Sequence, residues 1–99
     1  MAESLLATLR RERAEAGATD ARLDWIEEAL EETLSLVSRL STNARGELAM
    51  SAPGTWDYDY ATDTLAWVKR AEATVVALTA EHQCLTGRAA RRRETPYVD

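Results

Sequence analysis

The sequence predicts an all-α protein: a short N-terminal helix, then a long antiparallel helical hairpin, with the bundle completed by homodimerisation. Three observations carry this prediction. Two long stretches repeat apolar residues at helical spacing. No stretch alternates apolar and polar residues as a half-buried strand would. Capping residues precede each periodic stretch, and glycines follow it. The expected division is one helical domain over residues 1–87, with helices near 3–16, 20–44 and 62–86 and a connector over 46–61. Residues 88–99 read as a basic, flexible tail.

The first helix places Leu5, Leu6, Leu9 and Ala16 on one side. Glu3 and Ser4 suit its start, where acceptors and negative charge meet unpaired N–H groups. Gly17 suits its end, because glycine takes the left-handed conformation without a side-chain penalty.

The second helix carries Leu23, Ile26, Leu30, Leu34 and Val37 along one stripe, widened by Trp25, Ala29, Leu36 and Leu40. Thr19 or Asp20 is the expected cap, and Asn43 to Gly46 the expected end. Asp24, Glu27, Glu28, Glu31 and Glu32 are assigned to an opposite, acidic face. An apolar arc of this width contacts more than one neighbouring helix, which motivates the homodimer.

The third helix is expected to start at Thr62 or Asp63 and to stop at Gly87. Its apolar stripe holds Trp67, Val68, Ala71, Val75, Leu78, His82 and Leu85. A second stripe contains only small side chains: Ala66, Ala73, Ala77, Ala80 and Cys84. Ala66, Ala73, Ala77 and Ala80 form a candidate dimer interface; the plainer reading is that alanine favours helix on a solvent face.

Composition narrows function. The chain has 99 residues and a formal net charge of −5. Residues 18–47 carry seven acids against three bases, whereas residues 86–99 carry four Arg against Glu94 and Asp99. An acidic body disfavours phosphate-backbone contacts, so direct nucleic-acid binding is not expected. Cys84 is the only cysteine, which excludes an intrachain disulfide and suits a reducing, cytoplasmic setting. No apolar run is long enough to span a bilayer. The use of Arg over Lys suggests a GC-rich coding genome, such as that of an actinobacterium or its phage.

No motif carries catalysis. Asp57, Asp59 and Asp63 lack the glycine and the final glutamate of an EF-hand loop, so no metal is expected there. His82 has no ligand-type residue three or four positions away, and Cys84 points off its face. Glu28 and Glu31 stand at the E-x-x-E spacing that all-α nucleotide pyrophosphohydrolases use for magnesium, but the later E-x-x-D is missing. The expectation is a non-enzyme without cofactor.

The stretch "PGTWDYDY" offers a different chemistry. Pro53 and Gly54 read as a turn. Trp56, Tyr58 and Tyr60 alternate with Asp57 and Asp59, which in an extended segment would put rings on one side and carboxylates on the other. Folded back, the rings would plug the end of the helical hairpin with their polar tips wet; turned outward, they would anchor a protein interface, as Trp and Tyr often do. The expected function is a protein–protein interaction module, such as a phage-encoded or regulatory inhibitor, that meets a basic partner surface through these five residues. The alternatives are a phosphate mimic built on the acidic face of the second helix, and a structural self-assembling subunit.

Overall fold

The computed structural model describes residues 4–94. Among them are three α-helices and no strand: α1 (Leu5–Ala16), α2 (Ala21–Met50) and α3 (Trp56–Glu94). Their packing is compatible with a bundle. Glu3 and residues 95–99 of the expected tail lie outside the described residues.

Local chemistry explains the ends of α1. Ser4 is its N-cap, with Oγ accepting from the Ala7 amide at 3.1 Å. Gly17 ends it in the left-handed conformation, φ 67°. There the Gly17 amide donates to the Ala14 carbonyl and the Ala18 amide to that of Arg13, both at 3.1 Å. This is the double bond of a Schellman motif. Asp20 then opens α2, accepting from the Arg22 amide at 2.8 Å.

Both long helices outrun their expected limits. Gly46 does not end α2, because a helical glycine costs only about 1 kcal/mol against alanine, which neighbouring residues absorb. The end comes at Met50 instead, where Ala52–Thr55 form a turn closed by a Thr55 N–H to Ala52 carbonyl bond of 3.2 Å. Gly54 in this turn has φ 88°. Proline in the second place and a positive-φ glycine in the third define a type II turn. The connector is therefore 51–55, not 46–61, and α3 starts at Trp56 rather than near Thr62. Thr55 is the stronger cap: its Oγ1 accepts from the Tyr58 amide at 3.3 Å and donates to the Ala52 carbonyl at 2.7 Å. At the far end α3 passes through Gly87 to Glu94, so Arg88, Arg91, Arg92 and Arg93 are helical rather than part of a tail.

The chain forms two compact units. Residues 4–31 and 76–94 make the first, residues 32–75 the second. The fully buried large side chains Leu9, Leu23, Ile26, Leu30 and His82 all lie in the first unit. Each apolar one contributes about 1.5–3 kcal/mol by leaving water. The buried apolar residues of the second unit are Ala44, Ala61, Val68, Ala71 and Val75, all small or medium. Leu34, Leu36, Val37 and Leu40 of the expected stripe are half-buried there.

Candidate protein-interaction surface

The aromatic residues sit on the first two turns of α3, within the second unit. Helical geometry changes which of them share a side. Trp56 and Tyr60, four residues apart, fall together. Their rings stack with centroids 5.4 Å apart and planes at 17°. Both stay largely in solvent, at 75% and 62% exposure. Tyr58 is half-buried on another side, so the three rings do not form one row. The expectation of an extended ladder fails because Thr55 caps the segment into helix. Asp57 and Asp59 are exposed in the first turn, where carboxylates interact well with the helix N-terminus.

Beside this pair lies an open cleft of about 370 Å³, lined by Leu40, Asn43, Ala44 and Glu47 of α2 and by Asp57, Tyr60, Ala61 and Thr64 of α3. Its floor is apolar, through Leu40, Ala44 and Ala61, and two carboxylates border it. The surface thus offers a stacked aromatic pair, a shallow apolar recess and negative charge within one unit.

The acidic face of α2 divides on inspection. Asp24, Glu28, Glu31 and Glu32 are exposed, but Glu27 is only 8% exposed. Glu27 does not stand opposite the core as expected. It stands four residues after Leu23 and three before Leu30, roughly 40° from the Leu23 direction on a helical wheel. Its carboxylate joins all three helices of the first unit. Oε2 receives Arg13 Nη1 of α1 at 3.1 Å and lies 2.8 Å from His82 Nε2 of α3, while Oε1 is 3.5 Å from Arg10 Nε. Arg13 also meets Asp24 at 2.8 Å, and Arg10 meets Glu31 at 3.2 Å. Burial raises the Glu27 pKa, but hydrogen bonds from His82 and Arg13, with the Arg13 charge, outweigh it and hold the carboxyl below its ordinary value. His82 is fully buried, as a core histidine. Its Nε2 lies 2.8 Å from Glu27 Oε2 and its Nδ1 3.4 Å from the Thr86 hydroxyl, so both ring nitrogens have partners.

Two further features bear on the sequence reading. Trp25 is 51% exposed, with the Arg22 guanidinium 4.2 Å above its ring. Arg22 also clasps Glu81, with Nε 2.6 Å from Oε2. That hydrogen bond holds the Glu81 pKa below its ordinary value. Ala66, Ala73, Ala77, Ala80 and Cys84 are all exposed. Among the described residues no group of three or more His, Cys, Asp or Glu is arranged to hold a metal ion, and no helix is long and apolar enough to cross a membrane.

The described chain is thus defined as an all-helical protein with an exposed aromatic surface. No protein-family model, curated protein or solved structure matches it.

Proposed function

We propose that this chain is a non-enzymatic protein-binding module whose recognition surface is the start of α3. One observation carries the reading: Trp56 and Tyr60 are stacked and ordered by each other, yet mostly exposed. A pre-stacked pair loses little side-chain freedom on binding and brings a large apolar area. Asp57, Asp59 and the cleft carboxylate Glu47 select a partner with a basic surface and speed its approach. Tyr58 is half-buried and contributes less exposed area than the other two rings. A small inhibitor, phage-encoded or regulatory, that blocks its target sterically is the activity that fits. The reading takes α2 and α3 as an antiparallel hairpin.

A second reading, self-assembly, is favoured by the second unit. Half-buried Leu34, Leu36, Val37 and Leu40 and the 38%-exposed Trp67 leave apolar area that a second copy would cover. The exposed Ala66, Ala73, Ala77 and Ala80 would allow close approach of its helix. The phosphate-mimic reading draws less support, since Glu27 is buried and Asp24 and Glu31 are engaged by Arg13 and Arg10.

The test uses two baits, the natural chain and Trp56→Ala/Tyr58→Ala/Tyr60→Ala, matched by circular dichroism and sized by light scattering. A bacterial lysate is the source of partners, read by mass spectrometry. The expected result is a partner held by the natural chain and lost by the variant. Retention of that partner by both baits would remove the aromatic surface from the function. Capture of nothing, with twice the monomer mass in solution, would replace the module with a self-assembling subunit.

A further inference from the structure

The four arginines near the end of α3 have no place in the function above. Three of them converge on a cleft in the first unit. It measures about 430 Å³ and is formed by the turn Gly17–Asp20 and by Leu85, Arg88, Ala89, Arg92 and Arg93 of α3. We infer that this cleft is a binding site for a phosphoryl dianion.

The charge balance is the first argument. Arg88, Arg92 and Arg93 bring three guanidinium charges to the cleft, and among the described residues Asp20 is the one carboxylate lining it. Asp20 is already committed as the cap of α2. Arg10, Arg13 and Arg22 of the same unit are each matched by a carboxylate. Arg88 and Arg92 make no ion pair among the described residues. A surplus of two positive charges calls for a dianion, and a phosphate ester carries about −1.5 to −2 near neutral pH. Guanidinium forks match phosphate oxygens in pairs, which a chloride ion cannot exploit.

The cleft is also held in place by its own side chains. Arg93 does not wave in solvent: its Nη1 donates to the Glu15 carbonyl at 2.8 Å. Its side chain lies over Gly17, where an added Cβ would stand 3.1 Å from Nη1 and 3.3 Å from Cδ. A glycine turn thus leaves room for one arginine and fixes it in place. Arg88 and Arg92, four residues apart, fall on one side of α3. The volume exceeds what orthophosphate fills, so a phosphate ester with an organic group is the better occupant.

The probes are inorganic pyrophosphate and phenyl phosphate, titrated calorimetrically at constant ionic strength set with sodium chloride. The full chain is compared with Arg88→Gln/Arg92→Gln and with Lys69→Gln/Arg70→Gln. The last variant removes the same charge from exposed positions of the second unit. Arg93 is kept because its bond to Glu15 is structural. Saturable one-to-one binding of at least one probe is expected, weakened about tenfold or more in the first variant and less than about twofold in the second. The stronger probe tells whether the natural anion is inorganic or an ester. As a check independent of heat signals, saturating probe is expected to raise the Tm of the natural chain more than that of the first variant. Absence of saturation by both probes, or equal weakening in both variants, would overturn the site.

Discussion

Glu27 is one carboxylate with obligations to three helices, and its neighbours set its chemistry. Arg10 and Arg13 reach it from α1, His82 from α3, and Asp24 and Glu31 flank it on α2. Its folded pKa lies below the ordinary carboxylate value, so in acid the unfolded chain binds this proton more readily. The resulting stabilisation is complete above the ordinary carboxylate pKa and is lost as pH falls through the lowered folded value. Glu27→Gln keeps the shape and removes the charge. At neutral pH it is expected to cost about 3 kcal/mol, the usual loss when one member of a buried pair goes. The gap is expected to close progressively below about pH 4.5, where the natural side chain also turns neutral. Urea unfolding of both proteins at neutral pH and in acid measures this; a gap that holds constant into strong acid would show that the charge is not what stabilises.

At the scale of elements, two glycines with the same sequence role behave oppositely. Gly17 and Gly46 both read as helix stops, but only Gly17 has positive φ. A side chain at Gly17 would be strained by the backbone and pressed against Arg93. At Gly46, inside α2, an added Cβ meets nothing within 4 Å. Gly17→Ala is therefore expected to destabilise by about 1–2 kcal/mol, and Gly46→Ala to stabilise by about 0.5–1 kcal/mol. Matched denaturant curves test both, and equal signs would refute the assignment. The same contrast shows why helix ends were half legible. Local dihedral preference decides an end only where no tertiary packing carries the helix onward.

For the molecule as a whole, the distribution of large side chains sets where structure is firm. The first unit buries Leu9, Leu23, Ile26 and Leu30 completely, whereas the second buries alanines and valines. Local opening costs less where less apolar area is buried. Amides of residues 36–48 and 60–72 are expected to exchange with deuterium at least ~10-fold faster than those of residues 23–30 and 79–86. Uniform protection along α2 would contradict this. The faster unit also carries Trp56, Tyr60 and the recess, so a partner bound there is expected to slow its exchange selectively.

The sequence by itself determined the all-helical class, narrowed the first two caps to Glu3 or Ser4 and Thr19 or Asp20, and set the stop at Gly17 and the turn at Pro53–Gly54. Each depends on residues within a few positions of one another, and hydrogen bonding at that range follows from side-chain type. It also placed His82 on an apolar stripe as a core or interface residue, and its complete burial decides for the core. Tertiary structure alone decided that Glu27 turns inward. The carboxylate lies at the border of the apolar arc, and only Arg13 and His82, brought from distant positions, make burial affordable. It likewise decided that Arg88, Arg92 and Arg93 face the Gly17 turn instead of trailing away, since α3 continues through Gly87. Charges separated by long stretches of chain have no periodicity to betray their meeting; packing brings them together, and the low dielectric of the packed interior then fixes their consequences.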